Sequence, residues 1–166
     1  MKHVNKALPI CLIVLGFVCT GCTSSSMLQM EENKAIVRRA VEELDRSNLA
    51  AFMELHASDY VYHGHGSAKP MTREEFEQSF HVGFAAFGDT SRTIEDMIAE
   101  GDKVAFRLGH RFTHKGEFQG IPATGKQVTF TSIIIVRIAG GKFVEAWEEF
   151  DELSFRRQLG AVPSDE

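Results

Sequence analysis

The apolar positions of this chain change their spacing twice. From Ala7 to Val18 they are nearly continuous (ALPICLIVLGFV), from Glu31 they recur every three or four residues, and from Ser91 to Phe150 they alternate. In the helical stretch Ile36, Val37, Ala40, Val41 and Leu44 form a stripe behind Glu31 and Glu32, whose charge suits a helix N-terminus. A second, short helix is predicted after Ser47 or Asn48, carrying Leu49, Phe52, Met53 and Leu55. Tyr60-Val61-Tyr62 reads as a brief strand, and Gly64, Gly66 and Pro70 interrupt the chain after it. Thr72-Arg73-Glu74-Glu75 is a capping box, and Phe76, Phe80, Phe84 and Phe87 share one stripe of the helix it opens, which reads as core. The alternating half predicts strands over Ser91–Ala99, Val104–Thr113, Lys126–Ile138 and Lys142–Phe150, with a tight hairpin at Gly140-Gly141. An amphipathic helix over Glu152–Leu159 closes at Gly160. Helices succeeded by a run of antiparallel strands predict one α+β domain with a curved sheet.

The N-terminal block is of another kind. Lys2, His3 and Lys6 precede the apolar run, and small residues come after it, which is the pattern of a secretory signal. Twelve residues are too few to span a bilayer, which takes about twenty. Cys19-Thr20-Gly21-Cys22 resembles a bacterial lipobox, with Cys19 where that pattern prefers Leu. The chain therefore divides into a signal peptide over 1–21, a lipidated Cys22 with a tether over 22–30, in which Ser24, Ser25 and Ser26 read as flexible, and a domain over 31–163. Two or more acyl chains on Cys22 would anchor the protein stably at the membrane of the cell envelope. Thr23, where an Asp would signal inner-membrane retention, points to the outer membrane if the cell has one.

Cysteine and charge then narrow the chemistry. Cys11 and Cys19 lie in the segment to be removed, which leaves the mature chain no disulfide, no thiol nucleophile and no Cys-ligated metal. Cleavage removes Lys2 and Lys6, two of the 18 basic residues, while all 23 acidic residues remain, so the net charge moves from −5 to −7. The remaining basic residues are scattered, and no basic face for nucleic acid is visible.

Two segments resemble a known family. Thr113-His114-Lys115-Gly116-Glu117-Phe118, then Gly120-Ile121-Pro122-Ala123-Thr124-Gly125-Lys126, is similar to the THxGEFxGIPPTGK segment of the SnoaL-like polyketide cyclases, also called ester-cyclase-like proteins, of the NTF2-like fold. Gly141-Lys142-Phe143-Val144-Glu145-Ala146-Trp147, with Asp151-Glu152-Leu153 and Arg157-Gln158-Leu159-Gly160, resembles that family's closing segment. The resemblance implies a cone, in which a curved antiparallel sheet wraps around N-terminal helices and leaves an apolar pocket. It implies an intramolecular aldol cyclisation without metal or cofactor, with an aspartate as general base and acid, and the matching residue is Asp151. It also implies a homodimer formed across the outer sheet face.

Strand parity gives a second reason to look near Asp151. Simple alternation puts Phe143, Glu145, Trp147, Glu149 and Asp151 on one face of the last strand, a poor core but a suitable pocket wall. A carboxylate beside an indole in an apolar cavity suits proton transfer near neutrality; the alternative is that Asp151 caps the last helix. His114 shares parity with Val104, Phe106, Leu108, His110 and Phe112, so it either stabilises an enolate or is satisfied by a neighbouring protein group. His110 is a further pocket candidate, with the reservation that a bulge at Gly109 would flip everything after it. His63 is expected at the pocket rim; Tyr62-His63-Gly64-His65 lacks a third ligand at a familiar spacing, so no metal is assigned. The expectation is thus an envelope-tethered acid/base enzyme acting on a small apolar carbonyl compound, with Asp151 and His114 as catalytic residues. The alternatives are a pocket that binds an apolar ligand without turnover, and a structural or partner-binding role. Convergence of Asp151, His114 and His63 on one cavity distinguishes the first from the others.

Overall fold

Leu, Met, Gln, Glu, Ala and Arg dominate residues 27–44 and no proline interrupts them, so a helix nucleated anywhere in this stretch propagates through it. In a computed structural model, which describes residues 21–162, that helix is α1 (Gly21–Asp45). The predicted signal peptide lies, up to residue 20, outside the described residues, as does Pro163 at the domain's far end. Residues 24–26 fall inside α1, so the flexible tether expected over 22–30 is helical here. The predicted stripe holds: Val37, Ala40, Val41 and Leu44 are buried. Asn48 caps the short α2 (Leu49–Glu54), its side chain accepting from Ala51 N at 3.3 Å.

β1 (His56–His63) and the two-residue β2 (Met71–Thr72) come next, succeeded by α3 (Arg73–Ala86). Thr72 and Glu75 form the predicted capping box, each side chain bonding the other's backbone N–H, at 3.3 and 2.8 Å. Phe76, Phe80 and Phe84 face inward from α3, whereas Phe87 has already left the helix and begins β3 (Phe87–Glu100). β4 (Lys103–His114), β5 (Gln127–Ala139) and β6 (Lys142–Phe150) complete a six-stranded sheet of order β2-β1-β6-β5-β4-β3. Neighbours are antiparallel except β1 and β6, which run parallel, with α3 and four strands between them in the chain. Asp151 caps α4 (Glu152–Leu159), and Gly160 ends it in the left-handed conformation, φ 85°. Helices α1, α2 and α3 pack on one face of the sheet, and the main core lies between them, with Val104, Leu108, Val136 and Ala146 supplied by the strands. The result is the α+β cone the sequence implied.

One irregularity decides which residues face inward. Along β5 and β6, Arg137 pairs with Glu145 but the next residue, Ile138, pairs with Phe143. A two-residue step on β6 thus opposes a one-residue step on β5, which is a β-bulge, and it reverses the parity of everything beyond it. Phe143 points inward, and so do Ala146, Glu148 and Phe150; Glu145, Trp147 and Glu149 face the outside of the sheet. No such irregularity occurs at Gly109: β4 and β5 pair in regular register from Lys103 to Thr113. Gly109 serves another purpose, since a Cβ there would come within 2.8 Å of the Glu95 carboxylate.

Candidate functional site

Between the helices and the concave face of the sheet the packing is incomplete, and a cavity of about 370 Å³ remains. Its wall is largely rings: Phe76, Phe80 and Phe84 from α3 meet Phe106, Phe112 and Phe130 from the sheet. The helical phenylalanine stripe read as core therefore borders open space. Several polar side chains interrupt this apolar lining, and four of them carry the site's chemistry: Tyr62, Arg92, His110 and Glu148.

Glu148 is held at the centre of this group. Tyr62 donates to Glu148 Oε2 at 2.7 Å, and Ser132, fully buried in β5, lies close by. Glu148 keeps some free surface, but that surface faces the cavity rather than bulk water. Burial therefore raises its pKa above the usual carboxylate range, against the opposing pull of Tyr62, Ser132 and the Arg92 guanidinium. Burial, and after it the charge of Glu148, also raises the Tyr62 phenol well above its ordinary value, so Tyr62 remains a donor. Arg92 reaches the cavity beside Phe112, 5.2 Å from the ring centroid, and is anchored from behind by Asp45 of α1, at 3.2 Å through both its side chain and its backbone N–H. His110 Nε2 lies 2.9 Å from Ser132 Oγ, and the ring is stacked on Phe130 at 4.5 Å and 13°. Burial and the nearby Arg92 charge push the His110 pKa down to about 3, so the imidazole is neutral.

A buried carboxylate of raised pKa, hydrogen-bond donors and a cation in an apolar cavity are suited to general acid/base chemistry on a small organic molecule. The profile of the SnoaL-like polyketide cyclases matches residues 34–159. The chain belongs to this family. Solved structures agree. AclR, a putative hydroxylase from Streptomyces galilaeus, is 28% identical with a TM-score of 0.75, over 81% of this chain and 99% of that one. IdmH, a putative polyketide cyclase from Streptomyces antibioticus, is 31% identical with a TM-score of 0.69, over 77% and 98%. A putative SnoaL-like polyketide cyclase from Jannaschia sp. CCS1 shares the fold, with a TM-score of 0.73 at 20% identity, over 81% and 95%. No curated protein matches the chain.

Within this SnoaL-like domain the residues singled out from the sequence separate. Asp151 accepts from Ser154 N at 2.9 Å and caps α4; its surroundings are an open polar groove on the outer side of the sheet, shared with Thr129, Thr131 and Arg111. His114 points inward as its parity required, but it is fully buried beyond the end of the cavity, with Nδ1 3.0 Å from Thr124 Oγ1. His63 lies on the outer face, stacked on Trp147 at 5.2 Å and 3.0 Å from Glu145 Oε1. Glu149 also faces outward and meets His65 at 2.7 Å. Asp151, His114 and His63 thus do not converge, and the bulge in β6 is the reason that Trp147 and Glu149 are not pocket wall. Of the six pocket and catalytic candidates, His110 lines the cavity. Among the described residues no group of three His, Cys, Asp or Glu side chains is placed to hold a metal ion.

Parity reasoning missed Glu148, Tyr62, Ser132 and Arg92. A signal for Glu148 was present: it sits between Ala146 and Phe150 as the one charged position of an otherwise apolar face. The face with Trp147 and three carboxylates was poor core because it is the solvent side.

Proposed function

We propose that this domain is a cofactor-independent proton-transfer enzyme of the aldol cyclase or isomerase type, acting on a small apolar carbonyl compound in the cavity with Glu148 as the acid/base group. The observation that carries the reading is the Glu148 carboxylate: buried, raised in pKa and opening onto an apolar cavity. Removing a proton beside a carbonyl leaves an enolate, and a carboxylate tuned toward neutrality is suited to take that proton and return it elsewhere. Arg92, fixed by Asp45, supplies positive charge for the enolate without reorganising. The similarity to AclR and IdmH supports a reaction on a small molecule.

The test uses aromatic methyl ketones in D₂O and monitors exchange of the protons beside the carbonyl by NMR. The protein accelerates exchange, and Glu148→Gln reduces the acceleration by about 10²–10⁴-fold. Absence of acceleration by the unaltered protein removes the enzyme reading. The apolar character of the lining also favours a second reading, capture of an apolar ligand without turnover; in that case the ketone binds and no exchange occurs.

We further propose that the domain is tethered to the cell envelope through a lipid on Cys22, near the start of α1. The basic N-terminus, the short apolar run and the lipobox-like CTGC support this, and among the described residues no helix is long and apolar enough to cross a membrane. A homodimer across the outer sheet face is part of the same proposal. Ile98, 72% exposed, and Ile133, 59% exposed, stand there beside Ile135 and Trp147.

A further inference from the structure

Two further polar side chains line the cavity and take no part in the acid/base group. His56 and Tyr60, both in the first part of β1, are 5% and 3% exposed. His56 Nδ1 lies 2.9 Å from the Phe52 carbonyl oxygen. A carbonyl oxygen only accepts, so the imidazole hydrogen sits on Nδ1 and Nε2 is a lone pair. Burial lowers the His56 pKa to about 4, which keeps the ring neutral. Neither Nε2 nor the Tyr60 hydroxyl has a hydrogen-bond partner among the described residues. Buried polar atoms in that condition include His110 Nδ1 and His114 Nε2 but neither of these two, so both keep accessible surface. On residues so deeply buried that line a cavity, this surface belongs to the cavity wall.

The two atoms are complementary. Nε2 accepts, and the phenol has a proton to donate, which it keeps because burial, and after it the charge of Glu148, raises its pKa above the ordinary value. The rings stand 4.5 Å apart at 80° and do not bond each other. Phe76 packs on both, at 5.5 Å from His56 and 5.1 Å from Tyr60, while Phe52 and Phe143 hold His56 from its other sides. An acceptor and a donor left open side by side in apolar surroundings are costly, and a ligand group that both donates and accepts relieves that cost. A hydroxyl is such a group. An ether oxygen has no proton for Nε2, and neither has a carboxylate.

The strand register sets these two residues apart from the reacting end. His56 pairs with Phe143, and Glu148 stands five residues further along β6, roughly 16 Å of strand at about 3.3 Å per residue. Across the paired strands Arg92 and His110 lie beyond Glu148 in the same direction. We propose that His56 and Tyr60 form a hydroxyl-binding subsite, and that the substrate is an elongated apolar ketone with a hydroxyl at the end opposite its carbonyl. This rests on the cavity being the substrate site and deepens that reading. The hydroxyl donates to His56 Nε2 and accepts from Tyr60, and the carbonyl end is thereby placed toward Arg92 and Glu148. The subsite recognises and orients; no bond breaks there.

The experiment compares 2-acetonaphthone with its 6-hydroxy and 6-methoxy derivatives, by titration calorimetry on the full chain and by ¹⁵N NMR of the histidine rings. The hydroxy ketone binds about 10–100-fold more tightly than the other two, which leave Nε2 without a donor. The bare Nε2 signal of His56 moves upfield with the hydroxy ketone and stays in place with the parent compound. Tyr60→Phe keeps the ring and strands no protein partner, so it unfolds at the same urea concentration as the unaltered protein. It binds the parent ketone unchanged and loses most of the preference for the hydroxyl. Equal affinity for the three ketones overturns the subsite. So does a preference that survives in Tyr60→Phe with the His56 signal unmoved; the hydroxyl then sits at the Arg92 end. Failure of every ketone to bind overturns both the subsite and the enzyme reading. Preferential binding of the hydroxy ketone without exchange of the protons beside its carbonyl upholds the subsite and sinks the enzyme reading alone.

Discussion

Glu148 and His56 give the protein opposite responses to pH. The folded-state pKa of Glu148 is raised, so between the ordinary carboxylate range and that raised value the folded protein holds a proton that the unfolded chain releases. This contribution is complete on the acid side and is lost as pH rises through the window. His56, ringed by Phe52, Tyr60, Phe76 and Phe143, is lowered by burial to about 4. Below its unfolded value the unfolded chain binds the proton first, so stability is lost as pH falls from 6.5 toward 4, by about 3 kcal/mol at most. Thermal melts from pH 4 to 8 separate the two. Glu148→Gln abolishes the decline on the neutral side, and His56→Gln shrinks the loss on the acid side. Asp151 provides the contrasting substitution. Asn caps a helix as well as Asp does, so Asp151→Asn leaves both stability and ketone exchange within a few-fold of the unaltered protein, whereas Asp151→Ala costs about 1 kcal/mol in urea unfolding. Loss of exchange in Asp151→Asn would return the acid/base role to that residue.

At the scale of elements, the sequence was legible wherever a local rule governs. Thr72 and Glu75 announced α3, Gly160 announced the end of α4, and Gly140-Gly141 announced the β5–β6 turn, because each acts on its own backbone within a few residues. Thr72→Ala removes one half of the capping box and lowers stability by about 1 kcal/mol in urea unfolding. Alternation in β4 was equally reliable and put His110 on the cavity side. β6 defeated the same reasoning: its bulge has no Gly or Pro to mark it, since Lys142 to Phe150 contains neither. The bulge arises where β6 must pair with β5 on one side and with the parallel β1 on the other. β1 is irregular opposite the same two residues of β6, where His56 pairs with Phe143 but Val61 with Glu145. Such a demand comes from partner strands, and the strand's own sequence carries no record of it.

At the scale of the molecule, the outer sheet face and the N-terminus invite direct tests. Ile98, Ala105, Ile135, Trp147 and His63 form one row across four strand pairings, an apolar stripe on the side away from the cavity. Ile135→Glu places a charge in the middle of that stripe and converts the proposed dimer to monomer, read by light scattering, with ketone exchange retained because the cavity lies on the opposite face. Cys22→Ser abolishes incorporation of a palmitate analogue in cells and moves the protein from the membrane fraction to the soluble one.

The sequence by itself determined the family, the α+β class, the caps and turns, and the inward parity of β4, because these depend on local backbone chemistry and on motifs read in order. It also pointed to an acid/base side chain in an apolar pocket. Which group that would be was decided only by the tertiary structure. The proposed acid/base cluster takes Tyr62 from β1, Arg92 from β3, His110 from β4, Ser132 from β5 and Glu148 from β6, residues up to 86 positions apart. Their meeting depends on sheet order and on one extra residue in β6, which turned Glu148 toward the cavity and Glu149 toward solvent.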